Sequence, residues 1–218
     1  MGTTPSGAGA GRSHGPWLLG SMLTAVVVGI AVMGWRLHDR ARDTTCLANV
    51  RQMGIAIRMY AEDNAGLIAP AAYGAGVAMV RWPDLVDPYA RSVGAGWHCP
   101  RDRRRPGVRA ISYGLNARLA GAAEAARPAA LHAETEEADV VLLADTDGPQ
   151  SYLAWGSWTS KEEGARQGSW LAPRHKRAIP SGPGAFAAPP RSWGVNLCFV
   201  DGHVQWVWDQ ALSDTARW

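Results

Sequence analysis

Hydrophobic residues dominate the chain between Trp17 and Trp35, where nineteen consecutive positions carry no charged side chain. A helix of this length spans about 28 Å at about 1.5 Å per residue, close to the hydrocarbon thickness of a bilayer. Tryptophan at both ends is typical of the aromatic belts at membrane interfaces. A buried core helix is rarely so uniformly apolar, and a cleaved signal peptide ends in small residues, unlike the WRLHDRARD that follows here. The pattern predicts a transmembrane helix over 17–35, preceded by a disordered Gly- and Ala-rich tail over 1–16.

Beyond the span the apolar positions follow a helical period on one face. They are spaced three and four residues apart: Leu47, Val50, Gly54, Ile57 and Ala61. Charged side chains such as Arg58 fall off that face, and no proline interrupts the pattern before Pro70. We therefore predict that residues 36–65 continue the helix as an amphipathic segment.

Short apolar runs replace the helical period over 66–218. RWPDLVDPYA predicts a short helix or a turn, AISYGLN a short strand that ends in a turn, and DVVLLAD a buried strand. NLCFV-DG-HVQWVW predicts a hairpin with a two-residue Asp-Gly turn, in which both turn positions favour positive φ. A stretch rich in Gly, Pro, Ser and Arg predicts a long loop near 156–192. The fold class is therefore α+β, with a long N-terminal helix packed on a small, mostly antiparallel β-sheet.

Six segments occur in an order that resembles a family of bacterial membrane proteins. They are CLANVRQMGIAIRMYAEDNAG, WHCPRD, ISYGLNARLAG, VVLLAD, PRH and NLCFVDGHVQW. Together they resemble the planctomycete-type prepilin-like or pseudopilin-like proteins, which end in His, nine residues and Asp-Gly. The resemblance implies a type IV pilin-like fold in a single-pass protein of the inner (cytoplasmic) membrane. It also implies a non-enzymatic function, exerted through contacts with other pilin-like subunits, with pilus or type II secretion-like machinery, or with the bacterial envelope.

The chain departs from that family in two places. Its apolar stretch opens with HGPWLLGSML, where the family carries a prepilin peptidase site, yet no glutamate follows Gly15 and Pro16 comes next. The signature corresponds to a set of residues near the C-terminus: His175, Asp201, Gly202 and His203. Twenty-five residues separate His175 from Asp201, so we expect a loop insertion between them, which costs little closure entropy.

The arginines around the span predict the opposite orientation from the family. Only Arg12 precedes the span, whereas Arg36, Arg40 and Arg42 follow it directly. The positive-inside rule would place the arginine-rich side in the cytoplasm, but a large translocated domain can outweigh it. We follow the resemblance, which implies a cytoplasmic N-terminus and an extracytoplasmic C-terminal domain.

The chain has three cysteines, Cys46, Cys99 and Cys198, and none forms a CxxC pair, which argues against a zinc site. Cys46 and Cys99 occupy the two cysteine positions of the family, so the resemblance implies a disulfide between them. A compartment outside the cytoplasm permits such a bond. Cys198 alternates with apolar residues in a strand and is expected to be buried. A cytoplasmic domain would instead keep all three cysteines as thiols.

Acidic residues and histidines near the C-terminus offer an enzymatic alternative. One Asp and two His can ligate a divalent metal, so a membrane-tethered metal-dependent enzyme would use His175, Asp201 and His203, with Asp145 as a further ligand. The tight turn separates Asp201 from His203 and favours an architectural role. Asp145 and Asp147 follow a buried strand, but two carboxylates alone seldom bind calcium. We therefore expect no enzymatic activity, no metal and no cofactor.

Charge and aromatic residues suggest two further binding hypotheses. The formal net charge is +3, and the basic run RDRRRPGVR over 101–109 has no interleaved aromatic residues. This run could bind phosphate backbones or acidic lipid, but a charge run is usually a solvated loop, so we expect a surface loop there and no nucleic-acid partner. A sugar- or DNA-binding envelope anchor would instead present Trp155, Trp158 and Trp170 as one exposed stripe.

Overall fold

The computed structural model describes residues 15–70, 72–73, 80–104, 111–116, 119–120, 139–147, 152–153, 171–178 and 191–208. The chain divides into two compact units, Met1–Ala41 and Arg42–Trp218. Helix α1, Gly15–Asp63, contributes residues to both units, in agreement with the predicted long helix. Most of the predicted tail, 1–14, lies outside the described residues. Its last two residues belong to α1 instead, because proline is tolerated in the first turn of a helix.

In the first unit, α1 exposes its apolar side chains. Ten large hydrophobic residues from Met22 to Leu37 are between 45% and 68% exposed. This helix is long and apolar enough to cross a membrane, with a mean hydropathy of 1.6 in its most apolar window. Trp35 is exposed, as a membrane-interface residue would be, whereas the side chain of Trp17 lies outside the described ones. The segment is thus compatible with a single transmembrane span.

In the second unit, one face of α1 packs on the sheet. Its buried side chains recur at helical spacing: Cys46, Val50, Met53, Ile57 and Ala61. They join strand residues such as Leu143 in one hydrophobic cluster. The predicted stripe is confirmed apart from Leu47, which is half-buried while Cys46 takes the first buried position. Arg58, expected off the face, is also half-buried, and its guanidinium donates to the carbonyl of Val200 at 3.0 Å.

A short β-ribbon and a second helix follow α1. Strands β1, Ala72–Tyr73, and β2, Val80–Arg81, pair antiparallel. Helix α2, Trp82–Ser92, starts directly after β2, so the segment predicted to be a short helix or a turn is a helix. The Asp84 carboxylate accepts the backbone N–H of Arg81 at 3.1 Å, which satisfies one of the free donors at the start of the helix.

The main sheet has six strands. They are β3 (Tyr113–Asn116), β4 (Val141–Asp145), β5 (Tyr152–Leu153), β6 (His175–Ala178), β7 (Arg191–Phe199) and β8 (Val204–Trp208). Their spatial order is β5-β3-β4-β7-β6, and β8 also pairs with β7. Every described pairing in this sheet is antiparallel except that of β3 with β5. The α+β class and the mostly antiparallel sheet are therefore confirmed.

Part of the predicted long loop near 156–192 is strand. His175–Ala178 forms β6 on the edge of β7, and β7 itself already begins at Arg191. The prediction was wrong there because HKRA has no apolar alternation, so its strand conformation comes from pairing with β7. Residues 154–170 and 179–190 lie outside the described part of the chain.

The β7–β8 hairpin is confirmed, but its turn differs from the predicted one. Gly202 N–H donates to the carbonyl of Phe199 at 2.9 Å, and Phe199 N–H donates to that of His203 at 3.0 Å. Three residues, 200–202, therefore form the loop. Gly202 has a φ of 92°, whereas Asp201 does not have a positive φ. A turn followed by a glycine in this conformation is a common three-residue hairpin loop.

Candidate functional site

His175 is fully buried between two carboxylates that come from different elements. Its Nδ1 lies 3.0 Å from Oδ1 of Asp43 on α1, and its Nε2 lies 3.1 Å from Oδ2 of Asp145 at the end of β4. Each carboxylate has a further partner. The backbone N–H of Asn196 donates to Asp145 at 2.8 Å, and the Arg101 guanidinium donates twice to Asp43, at 2.9 and 3.1 Å. Buried charges require such partners, so the fold holds this network in one arrangement.

The electrostatics of Asp43 favour its ionised form. Burial on its own raises the pKa of this carboxyl, but hydrogen bonds from Arg101 and His175 outweigh the burial. The pKa of Asp43 therefore lies below its ordinary value. An ionised Asp43 can only accept a hydrogen bond, so Nδ1–H of His175 donates to it at 3.0 Å.

A disulfide lies against the same histidine. It joins Cys46 to Cys99, the pair implied by the family resemblance, across a Cα–Cα distance of 5.0 Å. Sγ of Cys99 lies 3.7 Å from Nε2 of His175 and also accepts the backbone N–H of Arg101 at 3.4 Å. Cys198 is a buried free thiol, as expected, and burial raises its pKa to about 12. The cluster therefore connects α1, the loop after α2, and strands β4 and β6.

A pocket of about 440 Å³ opens beside Arg101. Five arginines line it: Arg42, Arg101, Arg103, Arg104 and Arg174. Two carboxylates, Asp102 and Asp147, and the half-exposed ring of Trp193 complete the charged and aromatic lining. The pocket therefore combines an excess of guanidinium groups with one apolar surface.

Asp102 organises the floor of this pocket. Its carboxylate lies 2.5 Å from the guanidinium of Arg104 and 2.8 Å from that of Arg174, and it accepts the Ser112 hydroxyl at 2.7 Å. Burial alone raises the pKa of Asp102, but hydrogen bonds from Arg104 and Ser112 and the charge of Arg174 hold it far below its ordinary value. Asp147 lies 3.3 Å from the Arg104 guanidinium, so two carboxylates balance the charges of Arg104 and Arg174.

The rim of the pocket carries the uncompensated charge. Arg42 and Arg103 are exposed and form no hydrogen bond or ion pair among the residues that the structure describes. A guanidinium binds carboxylate or phosphate oxygens through two parallel hydrogen bonds. The pocket can therefore take an anionic group at its rim.

The residues of the predicted C-terminal signature are not brought together. His175 pairs with Gly194 on β7, whereas Asp201 and His203 lie in the turn beyond the far end of that strand. The five residue steps from Gly194 to Phe199 alone span about 17 Å. Asp201 instead accepts the backbone N–H of His203 at 2.9 Å and lies 2.6 Å from its Nδ1. A metal centre built on His175, Asp201 and His203 is therefore incompatible with the described structure.

The other predicted sites also differ from what the sequence suggested or lie outside the described residues. Asp145 contacts His175, but Asp147 lies 3.3 Å from Arg104, so the two carboxylates have different partners and do not form a calcium site. Within the basic run, residues 101–104 line the pocket. Arg101, Asp102 and Arg104 are partly buried and Arg103 is exposed, so this part of the run is not a plain solvated loop. Residues 105–109 lie outside the described part of the chain, as do the three tryptophans, Trp155, Trp158 and Trp170.

Sequence analysis did not single out Asp43, the partner of His175 on α1. A signal was present, because Asp43 precedes Cys46 by three residues and both therefore lie on one face of the helix. A carboxylate one turn before a buried cysteine is expected to approach the same core. Trp193 was also missed, since alternation along β7 does not reveal which strand positions line a cavity.

Comparison with models of known families, with curated proteins and with solved structures found no match for the chain. The site is therefore interpreted from its own geometry: a desolvated Asp–His–Asp network beside a disulfide, and an arginine-rich pocket that shares Arg101 with it.

Proposed function

We propose that the protein is a non-enzymatic, single-pass inner-membrane protein whose C-terminal domain acts outside the cytoplasm. It would work by contact with other subunits or with envelope components, as the pilin-like proteins that it resembles do. The observation that carries this proposal is the exposed apolar surface of α1 from Met22 to Leu37. Soluble proteins rarely expose a continuous apolar surface of this size to water, whereas a bilayer would bury it.

The disulfide supports the extracytoplasmic location of the domain. Disulfides form and persist in oxidising compartments and are rare in the cytosol. The Cys46–Cys99 bond ties α1 to the loop after α2, and both cysteines are buried in the same core cluster. A domain that contains this bond is therefore expected outside the cytoplasm, although the arginines that follow the span predict the opposite orientation.

A structural role is supported by the position of the Asp–His–Asp network. His175 and Asp145 are completely buried, and their side chains contact each other at 3.1 Å. A general acid or base must reach the substrate proton within hydrogen-bond distance. His175, so enclosed, is suited to holding α1 on the sheet and not to turnover.

Membrane fractionation and protease access test the proposal directly. The full chain with a C-terminal tag should resist carbonate extraction, and protease added to spheroplasts should remove the tag. The double variant Val27→Arg/Ile30→Arg places two charges in the span, at a cost of about 3 kcal/mol each. It should therefore lose its membrane association.

Ile55→Arg is the matched control for that variant, because Ile55 is a partly exposed apolar residue on the part of α1 that belongs to the second unit. It should leave membrane association unchanged. A full-length protein recovered in the soluble fraction, or a C-terminal tag that protease reaches only after lysis, would contradict the proposal.

A further inference from the structure

We infer that Cys46, Cys99 and His175 form a zinc-binding site when the two cysteines are reduced, with Asp145 completing the ligand set. The inference concerns the cluster at His175 and does not depend on the proposed membrane topology. It also revises the expectation that the absence of a CxxC pair argues against zinc, because here the fold brings ligands together from α1, a loop and two strands.

The distances between the ligand atoms suit zinc. Sγ of both cysteines and a ring nitrogen of His175 all lie within 4.8 Å of one another. Tetrahedral zinc, with bonds of about 2.3 Å to sulfur and 2.0 Å to nitrogen, holds those atoms about 3.5 Å apart. The Cys99 Sγ to His175 Nε2 distance is 3.7 Å. The two sulfur atoms, which are bonded in this structure, must separate on reduction to make room for the ion.

The surroundings of the histidine match those of a metal ligand. A zinc-bound histidine usually donates its other ring N–H to a carboxylate, which fixes the tautomer and raises the basicity of the binding nitrogen. Here Asp43 lies 3.0 Å from Nδ1 and is held in turn by Arg101. Nε2 is then the ring nitrogen that would bind zinc, and it lies next to the sulfur of Cys99.

The surroundings of the sulfur point to the same role. The backbone N–H of Arg101 donates to Sγ of Cys99 at 3.4 Å, within the short turn Cys99–Arg101. Such an N–H···S bond strengthens when the sulfur carries negative charge, since hydrogen bonds to ionised acceptors are the stronger ones. The turn therefore stabilises a thiolate at Cys99 once the disulfide has been opened.

Asp145 supplies an independent indication of a fourth ligand. Its side chain is completely buried, and Oδ1 is buried without a hydrogen-bond partner among the described residues. Oδ2 lies 3.1 Å from Nε2 of His175, close to the separation of two ligands on one zinc ion. A buried carboxylate with spare acceptor capacity, in contact with the ligand histidine, can therefore supply the fourth ligand of a Cys₂-His-Asp set once the two sulfurs have separated.

A dithiol reductant gives two electrons and two protons to the Cys46–Cys99 bond and becomes a cyclic disulfide, leaving two thiols. Zinc binding then displaces the two thiol protons to solvent, and both thiolates bind the ion. In the oxidised state Cys46 and Cys99 join α1 to the loop after α2 by a covalent bond, and in the zinc-bound state the ion would join both to His175 on β6.

Metal titration of the full chain in detergent micelles tests the inference, with a phosphine reductant because it does not compete for zinc. The reduced protein should bind one Zn²⁺ per chain, and Co²⁺ should give the thiolate charge-transfer and tetrahedral d–d absorption. The oxidised protein should bind none. Asp43→Asn should weaken zinc binding about 10- to 100-fold, as loss of a partner of a ligating histidine does.

Matched variants distinguish this site from other thiols and histidines. His203→Gln and Cys198→Ala should keep the stoichiometry and the cobalt spectrum, whereas Cys99→Ser and His175→Gln should abolish the spectrum. The inference is overturned if the reduced, folded chain binds no stoichiometric metal or if binding survives in Cys99→Ser. Unfolding on reduction that excess zinc does not reverse would overturn it as well, because zinc that binds native ligands must stabilise the fold.

Discussion

The protein has two aspartate–histidine pairs with similar contact distances and opposite environments. In the first, Asp145 and His175 lie 3.1 Å apart, neither side chain is exposed, and Asp43 and Asn196 complete the network. In the second, Asp201 and His203 lie 2.6 Å apart within one turn, and their side chains are 31% and 44% exposed. The shorter contact belongs to the pair that organises only its own loop.

Desolvation, and not the distance between the partners, therefore determines how much stability is lost when one partner of an Asp–His pair is removed. An exposed pair gains little, because water screens the charges and competes for the hydrogen bonds. A buried pair that loses one partner leaves an uncompensated charge or donor in the core, which costs several kcal/mol. We therefore expect substitutions around His175 to have far larger effects than matched substitutions around His203.

The largest effect should come from removing the covalent bond beside His175. Cys46→Ala/Cys99→Ala frees a loop whose ends are 53 residues apart, which costs about 4 kcal/mol on the chain-entropy description. Urea unfolding of the full chain in detergent, followed by tryptophan fluorescence, measures the free energy of unfolding. The matched double variant Asp201→Ala/His203→Ala in the turn should lose less than about 1 kcal/mol. Equal losses in the two variants would contradict the comparison.

The next largest effect should come from a single amide substitution in each pair. Asp145→Asn keeps the shape of the side chain but presents an amide to a buried network, and we expect a loss of about 3 kcal/mol. Asp201→Asn preserves an acceptor for the N–H of His203, so it should cost less than about 1 kcal/mol. The same unfolding measurement compares the two. A loss at Asp201 as large as that at Asp145 would show that the turn, too, depends on a charged partner.

Much of the fold was predictable because its signals are local. The apolar stretch and the three-and-four spacing that follows identified α1, and the DVVLLAD and NLCFV-DG-HVQWVW runs identified β4 and the β7–β8 hairpin. The turn type was not predictable, since a two-residue turn and a three-residue loop can both accommodate Asp-Gly. Strand β6 was missed because its four residues carry no periodicity of their own.

The buried cluster was only partly predictable, for a different reason. Asp43, Asp145 and His175 lie far apart in the sequence and meet only when α1 packs on the sheet. Neither periodicity nor spacing records such a contact. The Asp-Gly-His motif, by contrast, places an acid and a base two residues apart and therefore suggests a catalytic or metal site. In the structure its Asp accepts the backbone N–H of its own turn.

The smallest of the expected differences in stability concerns the carboxylates that pair with arginine, and it should depend on pH. The pKa of Asp102 and that of Asp43 lie below their ordinary values because of their arginine, serine and histidine partners, although burial opposes the shift. Each carboxylate therefore contributes stability that is fully present above the unfolded-state pKa of about 4 and is lost as pH falls through the lower folded-state pKa.

Asp102→Asn should lower the free energy of unfolding by about 2 kcal/mol at pH 7, a figure reduced for solvent screening of the partly exposed Arg104. This difference from the parent protein should shrink between pH 5 and pH 2. Urea unfolding at a series of pH values measures it. If the difference in the free energy of unfolding between Asp102→Asn and the parent stays constant over that range, the charge of Asp102 does not stabilise the folded domain. Its hydrogen bonds alone would then hold the floor of the pocket.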